Sequence, residues 1–127
     1  MEAKMITSDR EVITPIDVAL EDHWFPRVVG QVNDQLIKVA ILEGENVWHK
    51  HDDEDEMFLI VSGSLRMEYE DRTVGLKAGD IHVVPRGVMH NPVADEECRI
   101  VLIEPASTKH TGDVISERTR SLEEQMR

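Results

Sequence analysis

Cysteine is all but missing from this 127-residue chain: Cys98 stands alone, so no internal disulfide staples the fold, and a reducing, cytoplasmic setting is the expectation. No apolar run approaches the roughly 20 residues that a membrane-spanning helix needs. The opening MEAKMITSDREVI has no continuous hydrophobic stretch resembling a secretion signal. Basic residues are few: 14 Lys and Arg stand against 26 Asp and Glu, a formal charge of −12. That balance repels phosphate backbones and anionic lipid surfaces at long range, which disfavours nucleic-acid and membrane partners. Also lacking are a Ser-His-Asp arrangement, a phosphate-binding glycine loop, a zinc-finger cysteine pattern and internal repeats. The length suits one domain, large enough to bury a core without disulfides.

What is there, from about residue 36 to 104, is a series of short apolar or alternating segments separated by Gly, Asp and Pro signals, the pattern of an all-β sandwich or barrel. Expected strands are Gln35–Leu42, Val47–His51, Met57–Val61, the segment around Leu65, Met67 and Tyr69, Thr73–Leu76, Ile81–Val84 and Arg99–Glu104. Leu65, Met67 and Tyr69 alternate with Arg66, Glu68 and Glu70, so one face of that strand is buried and the other wet. The spacing gives three parts: a flank over 1–34, a barrel over 35–105 and a tail or surface helix over 106–127. Within the first flank, Pro15–Glu21 reads as a short helical turn and His23-Trp24-Phe25-Pro26 as an aromatic clamp over the sheet.

The chemistry concentrates in His49, His51, Glu56 and His90. Side chains two apart on a strand share a face, so His49 and His51 project together. Glu56 five residues on, with His90 from a separate segment, completes a set of three nitrogens and one oxygen. Such a set suits a divalent first-row transition metal better than calcium or magnesium, which prefer all-oxygen shells. Glu56 sits at the edge of the run Asp52, Asp53, Glu54, Asp55, Glu56, where apolar residues resume; the rest of the run is read as a solvated loop, because like charges in a short run repel.

The span from Gly44 to Ala94 resembles the two signature motifs of the cupin superfamily. Gly44, His49, His51, Glu56 and Gly63 match the first motif, with four rather than five residues between Gly44 and His49. Gly79, Pro85, Gly87 and His90 match the second, and Ala94 stands where that motif has an asparagine. The resemblance implies a double-stranded β-helix, or jelly roll, with short helical flanks at both ends and one divalent transition-metal ion (Fe, Mn, Ni, Zn or Cu) inside the barrel. It also implies a homodimer; by alternation Trp48 and Lys50 lie on the face opposite the histidines, and Trp48 there suits packing between subunits or under the N-terminal segment.

On this basis the chain is expected to be a metal-dependent cupin acting on a small oxygenated organic molecule, by dioxygenase-like or isomerase/lyase-like chemistry. The alternative is a non-catalytic module in which the metal anchors a sugar or metabolite. A phosphorylated substrate fits poorly with the acidic loop and the few evident inward basic residues. Tyr69 is the candidate catalytic group beyond the ligands, since an inward phenol can offer a proton or hydrogen bond. His82 is read as a packed or surface residue, or as a contact to the ligands from behind or to the substrate; His110, among Ser107, Thr108 and Thr111, as solvated; His23 is not a ligand; and Cys98 is read as a buried filler.

Overall fold

The computed structural model describes residues 11–127. The first ten residues of the N-terminal flank, and with them most of the stretch read as lacking a secretion signal, lie outside the described residues. Among the described residues seven strands follow one another: β1 (Arg27–Val32), β2 (Gln35–Glu45), β3 (Glu56–Ser62), β4 (Ser64–Tyr69), β5 (Thr73–Lys77), β6 (Ile81–Val84) and β7 (His90–Pro105). Every pairing is antiparallel. The segment pattern's all-β barrel is present, in the jelly-roll form that the resemblance implied.

Strand β7 closes it. Its opening residues His90–Val93 pair with β4, its later residues Arg99–Ile103 pair with β3, and β2 runs along its length from Pro105 back to Val93. The apolar pattern predicts only the second part, Arg99–Glu104. The first part was hidden by Pro92, which lacks an N–H, and by Asp95, Glu96 and Glu97, which are exposed. These acidic residues form a bulge between the Ala94↔Gly44 and Cys98↔Leu42 pairs, so the strand bends without ending. Gly63, with φ +79°, turns β3 into β4 there; a Cβ at this position would lie 2.5 Å from the Glu97 carbonyl oxygen.

Alternation sorts the side chains. Inside the barrel lie Ala40 and Leu42, Phe58 and Ile60, Leu65, Met67 and Tyr69, Leu76, Val84, and Ala94, Cys98, Ile100 and Leu102. Full burial of a side chain the size of Leu, Ile or Met stabilises the fold by about 1.5–3 kcal/mol. On the outer side, Val39 and Val101 pack under Val18, with Ile13, Leu20, Ile37 and Ile103 around them. Strand β1, which the alternation did not reveal, pairs with β2 and carries this N-terminal layer to the sheet edge.

The aromatic clamp goes deeper than a cover. Trp24 is buried within the inner core, and its indole N–H donates to the Glu43 carbonyl at 2.8 Å. Its φ of +62° is strained for a bulky side chain, and the Trp24 N–H bond to the Ile41 carbonyl, 2.8 Å, helps hold it. The helical flanks are slight: a single 3-10 turn at Pro15–Asp17, and α1 (Leu122–Gln125), started by a reciprocal cap between Ser121 and Glu124.

Candidate metal centre

The four residues singled out by spacing come together, although the expected strand Val47–His51 does not form. That segment is an extended loop holding one isolated bridge, in which His49 and His90 exchange backbone hydrogen bonds of 3.0 and 2.9 Å. The Gly87 N–H adds a third tie, to the His51 carbonyl at 2.7 Å. Val47–His51 has the residues of a strand but finds partners only at this bridge, so its backbone is fixed point by point. The side-chain parity survives: His49 and His51 are buried, while Trp48 and Lys50 point away and are exposed. His90 opens β7 and Glu56 opens β3, so two ligand candidates stand at strand ends and two on the loop bridged to His90, all four close together.

Their donor atoms lie within 4.8 Å of one another, and all four residues are buried. Glu56 Oε1 is 2.9 Å from His51 Nε2 and 3.3 Å from His90 Nε2. None of these three atoms has a hydrogen-bond partner of acceptable geometry. Buried polar atoms without partners are costly, and each such group asks for an explanation. A cation supplies one: bonds of about 2.1 Å at right angles place neighbouring donors about 3.0 Å apart. The remaining ring nitrogens are arranged to suit. His49 Nδ1–H donates to the Val47 carbonyl at 2.7 Å and His90 Nδ1–H to the Val88 carbonyl at 2.9 Å, leaving each Nε2 with its lone pair. The residues present therefore fit one metal ion.

Electrostatics agree. Burial, then the neighbouring His90, lowers the His49 pKa to about 4, so the ring is neutral and able to coordinate at neutral pH. Burial pushes the Glu56 carboxyl up, but its contacts with His51, His90 and Glu104 overcome this and hold it well below the usual carboxylate range. Asp55, the carboxylate next in sequence to Glu56, is exposed and engaged elsewhere, accepting the Arg86 N–H at 2.8 Å. The remainder of the acidic run lies on the surface or partly so, as a solvated loop should.

Behind Glu56 the structure adds a pair that spacing did not suggest. Lys38 Nζ and Glu104 Oε1 are 2.8 Å apart, with side chains only 1% and 2% exposed. Lys38 is thus one inward basic residue that its spacing did not reveal, and it is engaged by Glu104. Burial and then the Glu56 charge push the Glu104 carboxyl well up, and Lys38 pulls it back only partly. A correction concerns His110. It is partly buried, not solvated: its Nδ1 accepts the Arg120 N–H at 2.9 Å, and it lines a cavity of about 40 Å³ together with Trp24, Asn46, His49, Glu56 and Phe58.

Tyr69 points inward as expected, in register with His90, but its hydroxyl lies 2.6 Å from His82 Nε2. Burial raises the Tyr69 pKa and keeps the phenol protonated. His82 is half-buried on β6, within hydrogen-bond distance of the phenol, and His23 is out at the surface beside Glu97. Cys98 is buried filler, its thiol pushed up to about 11 by burial.

Comparison with known proteins agrees with this geometry. The Cupin domain family matches residues 37–104. A solved cupin-2 domain containing protein from Shewanella frigidimarina is 45% identical with a TM-score of 0.67, over 68% of this chain and 84% of that one. Protein NMB1881 from Neisseria meningitidis is 26% identical with a TM-score of 0.69, over 76% of this chain and all of its own. The uncharacterized protein YdbB of Bacillus subtilis is 38% identical over 63 residues, which is 49% of this chain and 56% of that protein. With the barrel, the buried histidine and glutamate cluster and a family match across more than half of its residues, this chain belongs to the cupin superfamily.

Proposed function

We propose that this protein is a metal-dependent enzyme acting on a small oxygenated organic molecule at the mouth of the barrel. One observation carries the reading: two imidazole nitrogens and a carboxylate oxygen converge, buried and without hydrogen-bond partners, beside a third imidazole. A divalent transition-metal ion held by His49, His51, Glu56 and His90 would supply Lewis acidity or one-electron chemistry, with positions left open for oxygen donors. The protein's part is positioning. The carbonyls of Val47 and Val88 orient His49 and His90. Trp24 and Phe58 wall the adjoining cavity with apolar surface and exclude water, which strengthens every polar contact inside. The cavity's volume of about 40 Å³ favours a small ligand or one end of a longer one. Tyr69, held protonated beside His82, is the residue proposed to provide a proton. A homodimer through the face bearing Trp48, which is 43% exposed, belongs to the same proposal and is checked by the mass of the protein in solution.

Elemental analysis tests the centre. Purified protein should carry about one transition-metal ion per chain, and His51→Ala or His90→Ala should lose it while the barrel stays folded. A wild-type protein that takes up no metal from supplemented medium would remove the proposal. Oxygen uptake with dicarbonyl, phenolic or thiol compounds favours dioxygenase-like chemistry. Oxygen-independent conversion favours isomerase/lyase-like chemistry, and stabilisation by such compounds without turnover identifies a binding module.

A further inference from the structure

At the mouth of the barrel the ring nitrogens of three histidines, His49, His90 and His110, are wired in two opposite ways. In His49 and His90 the Nδ1–H is given to a backbone carbonyl, so Nε2 offers a lone pair. In His110 the backbone N–H of Arg120 is donated to Nδ1 at 2.9 Å, so a neutral ring carries its hydrogen on Nε2. Among the described residues no acceptor takes that Nε2–H. The geometry points to His110 as a ligand-positioning residue: its Nε2–H is donated to an acceptor atom, a carboxylate, carbonyl or similar oxygen, of the small molecule held at the open side of the metal centre.

This rests on the metal reading above and adds a residue to it. The placement has three independent supports. First, the loop that carries His110 is docked on the loop that carries His49 and His51. Gly112, at φ +59°, abuts Lys50 so closely that a Cβ there would collide with the Lys50 carbonyl oxygen. Second, His110 belongs to both the cavity of about 40 Å³ beside His49 and Glu56 and a wider cavity of about 660 Å³ under residues 106–125. It therefore stands between the centre and the larger space through which a ligand would pass. Third, Asn46 lines the inner cavity with a buried Oδ1 that has no hydrogen-bond partner. The wall thus has one N–H donor and one oxygen acceptor to spare, which suits an oxygenated ligand better than a hydrocarbon.

Azide is a suitable probe: it binds metals, accepts hydrogen bonds and has three atoms, matching a cavity that holds about three waters at roughly 10–15 Å³ each. The protein loaded with cobalt(II) is titrated with azide and followed by its visible absorption, in wild type, His110→Leu and His110→Gln. Loss of one hydrogen bond of this kind corresponds to about tenfold in affinity. The expected result is a tenfold weaker azide complex in His110→Leu, recovery to within about threefold in His110→Gln, which keeps an N–H, and one cobalt per chain in all three. In parallel, nitrogen-15 NMR of histidine in the metal-free wild type should show His110 protonated on Nε2. An Nδ1-protonated ring, equal azide affinity in wild type and His110→Leu, or no azide binding by the cobalt protein overturns the assignment of His110 alone. Failure of wild type to bind cobalt overturns the metal centre and this assignment together.

Discussion

The two ends of the barrel interior are built from the same strands on the same inward rows, yet they hold opposite kinds of residue. At one end Leu42 lies across from Cys98 and Ala40 from Ile100, with Ile60, Leu65 and Leu76 completing an apolar plug. Toward the other end the same rows continue into Lys38, Glu104 and Glu56 and meet the three histidines. The apolar end gains stability from every side chain it buries. The polar end must compensate itself, which it does by a chain of contacts running from Lys38 through Glu104 to Glu56 and the imidazoles. Stability and chemistry are thus separated along the barrel axis, two strand residues at a time.

Removing one member of the polar chain should be the most damaging change. Lys38→Met leaves the Glu104 carboxyl and the Glu56 carboxylate facing each other in the interior without their cation. Breaking a buried pair on one side typically costs about 3–5 kcal/mol, because the other charge stays buried. The double variant Lys38→Met/Glu104→Leu should recover most of that loss, read by urea unfolding of metal-free protein. If the single variant is as stable as wild type, the polar end is not self-compensated.

Leu65→Ala tests the other end. A cavity there should cost about 2–4 kcal/mol, with metal content per folded chain unchanged. Loss of metal from the folded fraction would show that the two ends are coupled and the separation false.

Acid separates the ends in a third way. His49 is buried neutral with its pKa lowered to about 4, whereas in the unfolded chain it titrates near 6.5. The unfolded state therefore binds more protons between those values, so the metal-free protein loses stability as pH falls from about 6.5 to 4. Each pH unit of that shift is worth about 1.4 kcal/mol, giving a fall of about 3 kcal/mol. Glu56, held low, adds to the fall as pH drops through the range where unfolded carboxylates titrate. The apolar end contributes nothing to this profile. His110, also lowered to about 4 by burial, adds to the fall, and Glu104, held high, opposes it. The check is therefore the difference in unfolding free energy between wild type and His49→Gln at pH 7, 5.5 and 4, and a difference that does not vary with pH would contradict a buried, neutral His49.

The apolar end was legible in the sequence because alternation reports burial directly: Leu65, Met67 and Tyr69 are all inside, as their spacing from Arg66 and Glu68 implies. The four metal-ligand candidates were legible for a different reason, since the spacing of His49, His51, Glu56 and His90 constrains them whatever the backbone does between. Lys38 was not. A lysine in an apolar strand resembles a surface residue until its partner is known, and Glu104 becomes its neighbour only through the β2–β7 register. His110 depends on the path of a loop with no periodicity at all. The Val47–His51 segment shows the reverse failure: strand-forming residues do not make a strand where only one bridge to a partner is available.

The smallest effect should come from Tyr69, which sits where the two ends meet. Its ring packs in the apolar core under the Arg72 guanidinium, 4.4 Å away, and its hydroxyl meets His82. Tyr69→Phe keeps the packing and removes one hydrogen bond, and His82, being half-exposed, can turn to water. A loss of about 1 kcal/mol follows. Metal content should not change, because the phenol touches no ligand donor atom and the Nδ1 of its strand neighbour His90 is already oriented by Val88. Proton-dependent turnover, once a substrate is in hand, should fall in this variant if the proposed role is right. Should metal binding fall instead, Tyr69 belongs to the scaffold of the centre, and the boundary between the two ends lies one residue pair deeper into the apolar plug.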